Sequence, residues 1–104
     1  MLNISKTIVT ETGKLFLEGR LDTVSAPELE QVIREMLPGL KELTLDFEKL
    51  DYISSAGLRV LLSAQKVMNK QGSMTVTNVN ETIMEIFEVT GFTDILTIAS
   101  GAKA

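Results

Sequence analysis

A strand-like segment is followed closely by a helix-like segment in the middle of this chain. Lys41 to Phe47 alternates apolar and polar residues, as a strand with one buried face does. After ten intervening residues, apolar residues recur at helical spacing from Leu58 to Met68. Ser73 to Thr77 then has the pattern of another strand. A strand, a helix and a further strand in this order favour a parallel sheet with crossover helices.

Two strands and one helix are predicted before this segment. Leu2 to Val9 is rich in β-branched residues, and Lys14 to Leu21 follows it after a turn at residues 11–13, so the two strands are expected to form a hairpin. Ser25 and Glu28 then have the spacing of a capping box at the start of a helix. The predicted apolar face of that helix consists of Leu29, Val32, Ile33, Met36 and Leu37.

Two more helices are predicted in the second half of the chain. The first runs from Ser55 to Lys70. Asn78 and Asn80 are alternative caps for the second of these helices. Residues 94–98 are compatible with a last edge strand or with a helical turn, and residues 99–104 are expected to form a loose tail.

The order of the segments, β-β-α-β-α-β-α, predicts a single α/β domain over residues 1–104. Its expected architecture is a small mixed β-sheet with an N-terminal hairpin and crossover helices. A length of 104 residues suits one hydrophobic core, and 44% hydrophobic with 23% charged residues predicts a folded chain. Binding sites of such sheets gather where strands end and helices begin, which here are the polar stretches 22–25, 51–55 and 78–80.

Composition excludes several classes of function. The chain has no Cys and no His, so the thiolate ligands, the commonest metal ligand and the commonest acid–base catalyst are missing. We therefore expect no catalytic residue, no metal and no cofactor. A net charge of −4 disfavours a general nucleic-acid binder. The sequence has neither a run of ~20 apolar residues nor a signal-peptide pattern, so a cytoplasmic protein without membrane contact is expected.

Helical geometry separates the two serines that begin the second predicted helix. With Leu58 at the centre of the buried face, Ser54 projects toward the core and Ser55 lies at the border of a basic stripe. That stripe consists of Arg59, Ser63, Lys66 and Lys70. Arg59 comes four residues after Ser55, so it can reach a group on that side chain. The alternative is that one serine only caps the helix and that the stripe is a solvated face.

Two other residues near the serines have competing interpretations. Gly57 costs a helix about 1 kcal/mol relative to Ala, which indicates close approach of another part of the fold or of a partner. Packing against the sheet is the interpretation that geometry favours. Asp22 follows the second strand and is either a turn residue before the Ser25 helix or part of a binding surface.

Four segments of the chain together resemble the bacterial anti-sigma-factor antagonists of the STAS domain class. They occur in the family's order and are Gly19 to Asp22, Leu43 to Phe47, Ser54 to Leu58, and Gly91 to Leu96. The resemblance covers nearly the whole chain and implies a STAS fold. It also implies a serine at the start of the second helix that an anti-sigma factor, itself a serine kinase, phosphorylates. The unphosphorylated antagonist binds that kinase and frees the sigma factor, and a PP2C-type phosphatase restores it.

The resemblance assigns the phosphorylated position to Ser55, in agreement with the helical geometry. Many family members have Asp directly before this serine, whereas this chain has Ser54, which makes Ser54 a minor candidate for the phosphate. The expected partner-binding residues are Asp22, Ser54, Ser55, Gly57 and Arg59.

Three rival functions differ from this interpretation. An enzyme with Ser55 as nucleophile lacks a base, because no His is present and the lysines of the helix are far along the chain. A phosphoaspartate receiver needs paired acids after a buried first strand, and here a hairpin ends in the single Asp22. The remaining alternative is a ligand- or nucleotide-binding STAS module, or a subunit of a larger sensing or transport assembly. No glycine-rich phosphate loop supports nucleotide binding.

Overall fold

A mixed sheet of five strands carries the fold in the computed structural model, which describes residues 2–99. The strands lie side by side in the order in which they follow one another along the chain, β1-β2-β3-β4-β5. β1 is antiparallel to β2, and every later pair is parallel. The strands are β1 (Leu2–Val9), β2 (Thr12–Leu21), β3 (Glu42–Ile53), β4 (Ser73–Thr77) and β5 (Ile98–Ala99). The helices are α1 (Ala26–Met36), α2 (Ser55–Gln71) and α3 (Glu81–Thr90). The predicted α/β class, N-terminal hairpin and crossover helices are confirmed.

The hairpin between β1 and β2 has a shorter turn than expected. Val9 pairs directly with Thr12, so only Thr10 and Glu11 lie in the turn. Thr10 adopts a left-handed backbone conformation with φ 57°, which a two-residue hairpin turn demands. β2 therefore begins at Thr12 and not at Lys14.

The predicted capping box of α1 does not form. The Ser25 hydroxyl donates to the Arg20 carbonyl at 2.8 Å and accepts from the Asp22 N–H at 2.9 Å. It makes no side-chain cap to the helix. Backbone carbonyls serve the first turn instead, because the N–H of Ala26 donates to Asp22 and the N–H of Glu28 donates to Ser25. The loop before α1 folds back on β2 and takes the serine away from the helix end.

β3 is longer than the predicted segment 41–47. Its first half pairs with both β2 and β4, and the β4 pairing ends at Asp46 opposite Thr77. Beyond that point β3 continues to Ile53 against β2 alone, with register shifts that mark bulges in the pairing. The residues after Phe47 do not alternate regularly, so periodicity could not extend the strand.

The core lies between the sheet and the helices. Gly13 of β2 faces Met36 of α1: a Cβ added to this glycine would lie 2.8 Å from the Met36 methyl group. Leu15, Leu45 and Val76 are fully buried on three adjacent strands, and the register pairs Leu15 with Leu45 and Leu45 with Val76. Side chains alternate along a strand, so these leucines and this valine form one apolar face beneath the helices.

The C-terminal segment combines both predicted alternatives. Of the two cap candidates, Asn80 caps α3, with its side-chain oxygen accepting from the Ile83 N–H at 2.8 Å. A 3-10 turn at Phe92–Asp94 follows, and Ile98–Ala99 then pairs with β4. Ala99, which was expected in the loose tail, is thus a strand residue. Residues 100–104 of that predicted tail lie outside the described residues.

Candidate functional site

The ends of β2 and β3 meet beside the start of α2. The Ser54 N–H donates to the Leu21 carbonyl at 2.8 Å, and Leu21 is also the register partner of Ile53. The turn that begins at Asp22 therefore lies next to the serine pair. Two of the three polar stretches, residues 22–25 and 51–55, thus meet at the ends of neighbouring strands.

The third polar stretch, residues 78–80, is not part of this meeting point. The Asn78 amide donates to the Asp46 carboxylate at 3.1 Å, and the Asn80 amide donates to the Leu50 carbonyl at 3.0 Å. β4 stops opposite Asp46, well before the end of β3, so these two asparagines contact residues in the middle of β3. Both asparagines have structural partners there.

The two serines have different roles at the start of α2. Ser54 is the N-cap, with an extended backbone and a side chain that accepts from the Gly57 N–H at 3.4 Å. Ser55 is the first residue of the helix and is exposed. Its hydroxyl makes no hydrogen bond to any part of residues 2–99. The capping function thus belongs to Ser54, and the Ser55 hydroxyl is accessible.

The electrostatic environment of Ser55 favours an anion. A helix start carries unpaired N–H groups and a partial positive charge, and the first turn of α2 contains no acidic residue. Arg59 is exposed one turn later and forms no ion pair with another described residue. The other members of the predicted basic stripe, Ser63, Lys66 and Lys70, are exposed as well. These features permit a phosphate on Ser55 without loss of a structural contact.

A shallow groove of about 230 Å³ runs between the starts of α1 and α2. The groove is lined by Thr23, Ala26, Pro27, Glu30, Ala56, Arg59, Val60 and Ser63. Glu30 pairs with Arg34 at 2.9 Å and forms no ion pair with Arg59. We call Asp22, Ser54, Ser55 and Arg59 with this groove the Ser55 patch. Apolar and polar side chains line the groove in equal number, and Arg59 lies at its edge.

Gly57 lies beneath the Ser55 patch and not on its surface. It is buried, and an added Cβ would meet Leu21 Cγ at 2.7 Å and Ile53 Cγ1 at 2.9 Å. The close approach that its presence in a helix indicated is therefore an approach to the fold's own strands. Its assignment to the partner-binding surface is corrected, since a buried glycine offers no side chain or surface to a partner.

Asp22 is a turn residue in this structure. Its Oδ1 accepts hydrogen bonds from the Val24 N–H at 3.1 Å and the Ser25 N–H at 3.0 Å, and it lies 3.1 Å from the Ser25 hydroxyl oxygen. The backbone and then the side chain of Ser25 are the main causes that hold the pKa of Asp22 below its usual value. This carboxylate fixes the loop between β2 and α1, which borders the Ser55 patch.

Sequence reasoning missed Val24 and the pair Arg20 and Tyr52. The Val24 side chain is 85% exposed at the tip of the loop after Asp22. An apolar residue inside a polar loop is the signal that could have identified it. Arg20 and Tyr52 contact each other across β2 and β3, and only the register of the sheet brings them together.

The described part of the chain contains no cluster of three or more metal-binding acidic, Cys or His side chains. Within residues 2–99, no helix is both long enough and apolar enough to span a membrane.

Comparison with known proteins identifies the family. The family model described as "Mlab, STAS domain" matches residues 4–97. The chain belongs to the STAS domain family. BtrV of Bordetella bronchiseptica, a protein assigned as an anti-sigma factor antagonist, is 36% identical over 90 residues, which are 85% of this chain and 78% of BtrV. The anti-sigma-B factor antagonist of Staphylococcus aureus is 28% identical over 104 residues, which are 98% of this chain and 96% of that protein.

The STAS fold is also that of a solved antagonist. SpoIIAA of Bacillus superposes in its unphosphorylated form with a TM-score of 0.75 at 16% identity, covering 96% of this chain and 88% of that chain. Its phosphorylated form gives a TM-score of 0.73 at 18% identity, covering 96% and 92% of the two chains. The STAS relatives of this chain are regulatory binding proteins and not enzymes, in agreement with the expected absence of catalysis.

Proposed function

We propose that this STAS protein is a phosphorylation-controlled anti-sigma factor antagonist that acts in the cytoplasm. Unphosphorylated, it binds a serine-kinase anti-sigma factor through the Ser55 patch, and the bound sigma factor is released. The kinase then phosphorylates Ser55, which ends the complex, and a PP2C-type phosphatase removes the phosphate.

The observation that carries this proposal is the division of roles between the two serines. Ser54 caps α2, whereas the exposed Ser55 hydroxyl has no structural partner among the described residues. A kinase must reach the hydroxyl that it modifies, and the fold must tolerate the product. Ser55 meets both conditions, while a phosphate on Ser54 would replace the helix cap.

The relatives support the same proposal. BtrV and the S. aureus protein are both named as anti-sigma factor antagonists. SpoIIAA has been solved in an unphosphorylated and a phosphorylated form, so a protein of this fold accommodates a phosphate. The transfer of phosphorylation to Ser55 of this chain is our inference from the geometry of α2.

The phosphate is expected to block binding directly. It adds about −1.5 to −2 charges at neutral pH, next to the positive helix end and one turn before Arg59. These neighbours favour the added charge, so the fold is expected to remain intact. Bulk and negative charge are then introduced at the centre of the surface that the partner must contact.

Phosphopeptide mapping tests the site. The protein is isolated from its source cell with its bound partner, and the intact masses of the bound and free forms are measured. We expect one phosphate, carried by Ser55 and only in the free form.

With the purified kinase, Ser55→Ala should abolish labelling, and the matched control Ser54→Ala should still be labelled. Phosphate on Ser54, or full labelling of Ser55→Ala, would contradict the proposal.

Amide chemical shifts test the blocking mechanism. We expect Ser55→Asp to fold normally, to bind the kinase poorly, and to change amide shifts only near Ser55 and the ends of β2 and β3. Changes spread through α1 and α3 would mean a conformational switch, and direct blocking would then be wrong.

A cavity of about 320 Å³ on the exposed face of the sheet is the feature that favours the ligand-binding alternative. It is lined by Asn3, Ser5, Phe16, Leu17, Glu18, Asp46, Glu48 and Lys49. Three of these side chains are acidic, so they would repel the phosphates of a nucleotide. A nucleotide titration that shifts amide signals of Phe16 and Glu48 would favour this alternative over the phosphorylation switch.

A further inference from the structure

Arg20 packs against Tyr52 beside the Ser55 patch. Its guanidinium carbon lies 4.2 Å from the centroid of the Tyr52 ring, and its Nε lies 3.9 Å from Asp22 Oδ2. The carbonyl of Arg20 accepts from the Ser25 hydroxyl, and its backbone pairs with Tyr52 after a register shift in β2. The strand backbone is thus anchored, and the side chain packs on the Tyr52 ring while it is still 54% exposed.

The hydrogen-bonding capacity of this guanidinium is unused. Asp22 is its nearest acid, but 3.9 Å is too long for a hydrogen bond, and Asp22 already accepts two backbone N–H groups in its own turn. The side chain of Arg20 donates no hydrogen bond to any other group within residues 2–99. A half-exposed guanidinium that contacts a ring and donates no hydrogen bond has N–H groups available to a carboxylate.

The orientation of Arg20 separates it from a phosphate on Ser55. Leu21 and Ile53 point toward Gly57 of α2, as their contacts with an added Cβ show. Neighbouring residues on a strand point to opposite faces, so Arg20 and Tyr52 point away from α2. Arg59 is the cation that Ser55 has on its own helix, and Arg20 is available to a group that approaches from outside.

We propose that Arg20, stacked on Tyr52, is a specificity-determining contact that binds a carboxylate side chain of the partner. The inference rests on the proposed function, since that partner is the serine-kinase anti-sigma factor that contacts the Ser55 patch. Arg and Tyr are enriched among the residues that dominate binding energy, and a pre-ordered pair loses little entropy on binding. An anti-sigma factor with a basic residue at the matching place is rejected by like-charge repulsion.

Binding of the purified anti-sigma factor kinase by calorimetry tests this contact. We expect Arg20→Glu and the uncharged Arg20→Gln to weaken binding at least about tenfold, and Tyr52→Leu to weaken it several-fold. Arg20→Lys keeps the charge but not the planar fork, so it should recover only part of the affinity. Lys41→Glu, the same charge change at an exposed site far from the patch, should leave binding within about twofold.

Salt and a charge exchange separate this contact from a structural effect. Binding by Arg20→Gln should depend less on ionic strength than binding by the wild type, and thermal unfolding should show that each variant is folded. A Glu→Arg or Asp→Arg change in the kinase should restore binding to Arg20→Glu. Wild-type affinity of a folded Arg20→Glu, or failure of every such exchange, would overturn this inference alone. Absence of any complex with the wild-type protein would overturn the proposed function and this inference with it.

Discussion

Gly57→Ala tests the role that the structure gives to the glycine of α2. Alanine in place of glycine favours a helix by about 1 kcal/mol, so the change would stabilise the protein if nothing stood in its way. The new Cβ would instead lie 2.7 Å from Leu21 Cγ and 2.9 Å from Ile53 Cγ1. Both side chains are almost fully buried, and the contacts are with inner atoms and not with flexible ends.

The two effects can be compared in magnitude. Overpacking of a core costs about 1–3 kcal/mol, and two contacts below 3.0 Å with buried side chains favour the upper half of that range. After subtraction of the helix term, we expect Gly57→Ala to lower the free energy of unfolding by about 1–2 kcal/mol. For a domain of this size, each kcal/mol corresponds to a fall in Tm of about 4–8 °C.

Urea and thermal unfolding measure this effect. Ser63→Ala on the exposed side of the same helix is the matched control, and it should leave stability unchanged or raise it by up to about 0.5 kcal/mol. Leu21→Ala removes two of the three closest atoms, so Gly57→Ala should cost less in that background. A Gly57→Ala protein as stable as the wild type would refute the packing argument. A partner-binding assay of Gly57 variants would report on stability and not on the patch.

Two further predictions concern the turns and caps that position the site. The pKa of Asp22 is lower in the folded state than its usual value of 3.8, so ionised Asp22 stabilises the fold at pH values above 3.8. This stabilisation is lost as the pH falls through the pKa of the folded state. The Asp22→Asn variant should therefore lose less stability than the wild type between about pH 5 and pH 2 in acid unfolding. Asn80→Ala should lower the free energy of unfolding by about 1–2 kcal/mol, because it removes a 2.8 Å cap and a bond to the Leu50 carbonyl. Ser54→Ala, which removes only a 3.4 Å cap, should cost about 0.5–1 kcal/mol, and an equal loss in chemical denaturation would contradict the ranking.

The elements with a strong hydrophobic period were predictable from the sequence. α2 and β4 lie where apolar spacing placed them, and the basic stripe that begins at Arg59 is exposed as the helical wheel required. The second half of β3 was not predictable, since its pairing with β2 compensates for an irregular pattern. The Ser25 capping box failed for a similar reason, because a carbonyl of β2 competes successfully for the hydroxyl.

At the site, sequence reasoning separated Ser54 from Ser55 but could not assign the neighbours. The helical period is a local property, so it correctly placed Ser54 toward the core and Ser55 at the exposed border, while the choice of the capping serine came from the structure. The role of Gly57 depends on which strand side chains lie opposite it. The pairing of Arg20 with Tyr52 depends on strand register, and the sequence contains no local signal for it.

The sequence by itself therefore determined the α/β class and the main helices, which follow from periodicity and composition acting over a few residues. The phosphate expected on Ser55 is what the family resemblance implies, in agreement with the helical period, and it stays a prediction. Only the tertiary structure decided that Asn78 and Asn80 bond to Asp46 and Leu50 of β3, that Gly57 is internal and that Arg20 contacts Tyr52 beside the patch. The physical reason is that strand length and register are fixed by pairing between distant segments, and a shift of one residue turns every side chain to the other face.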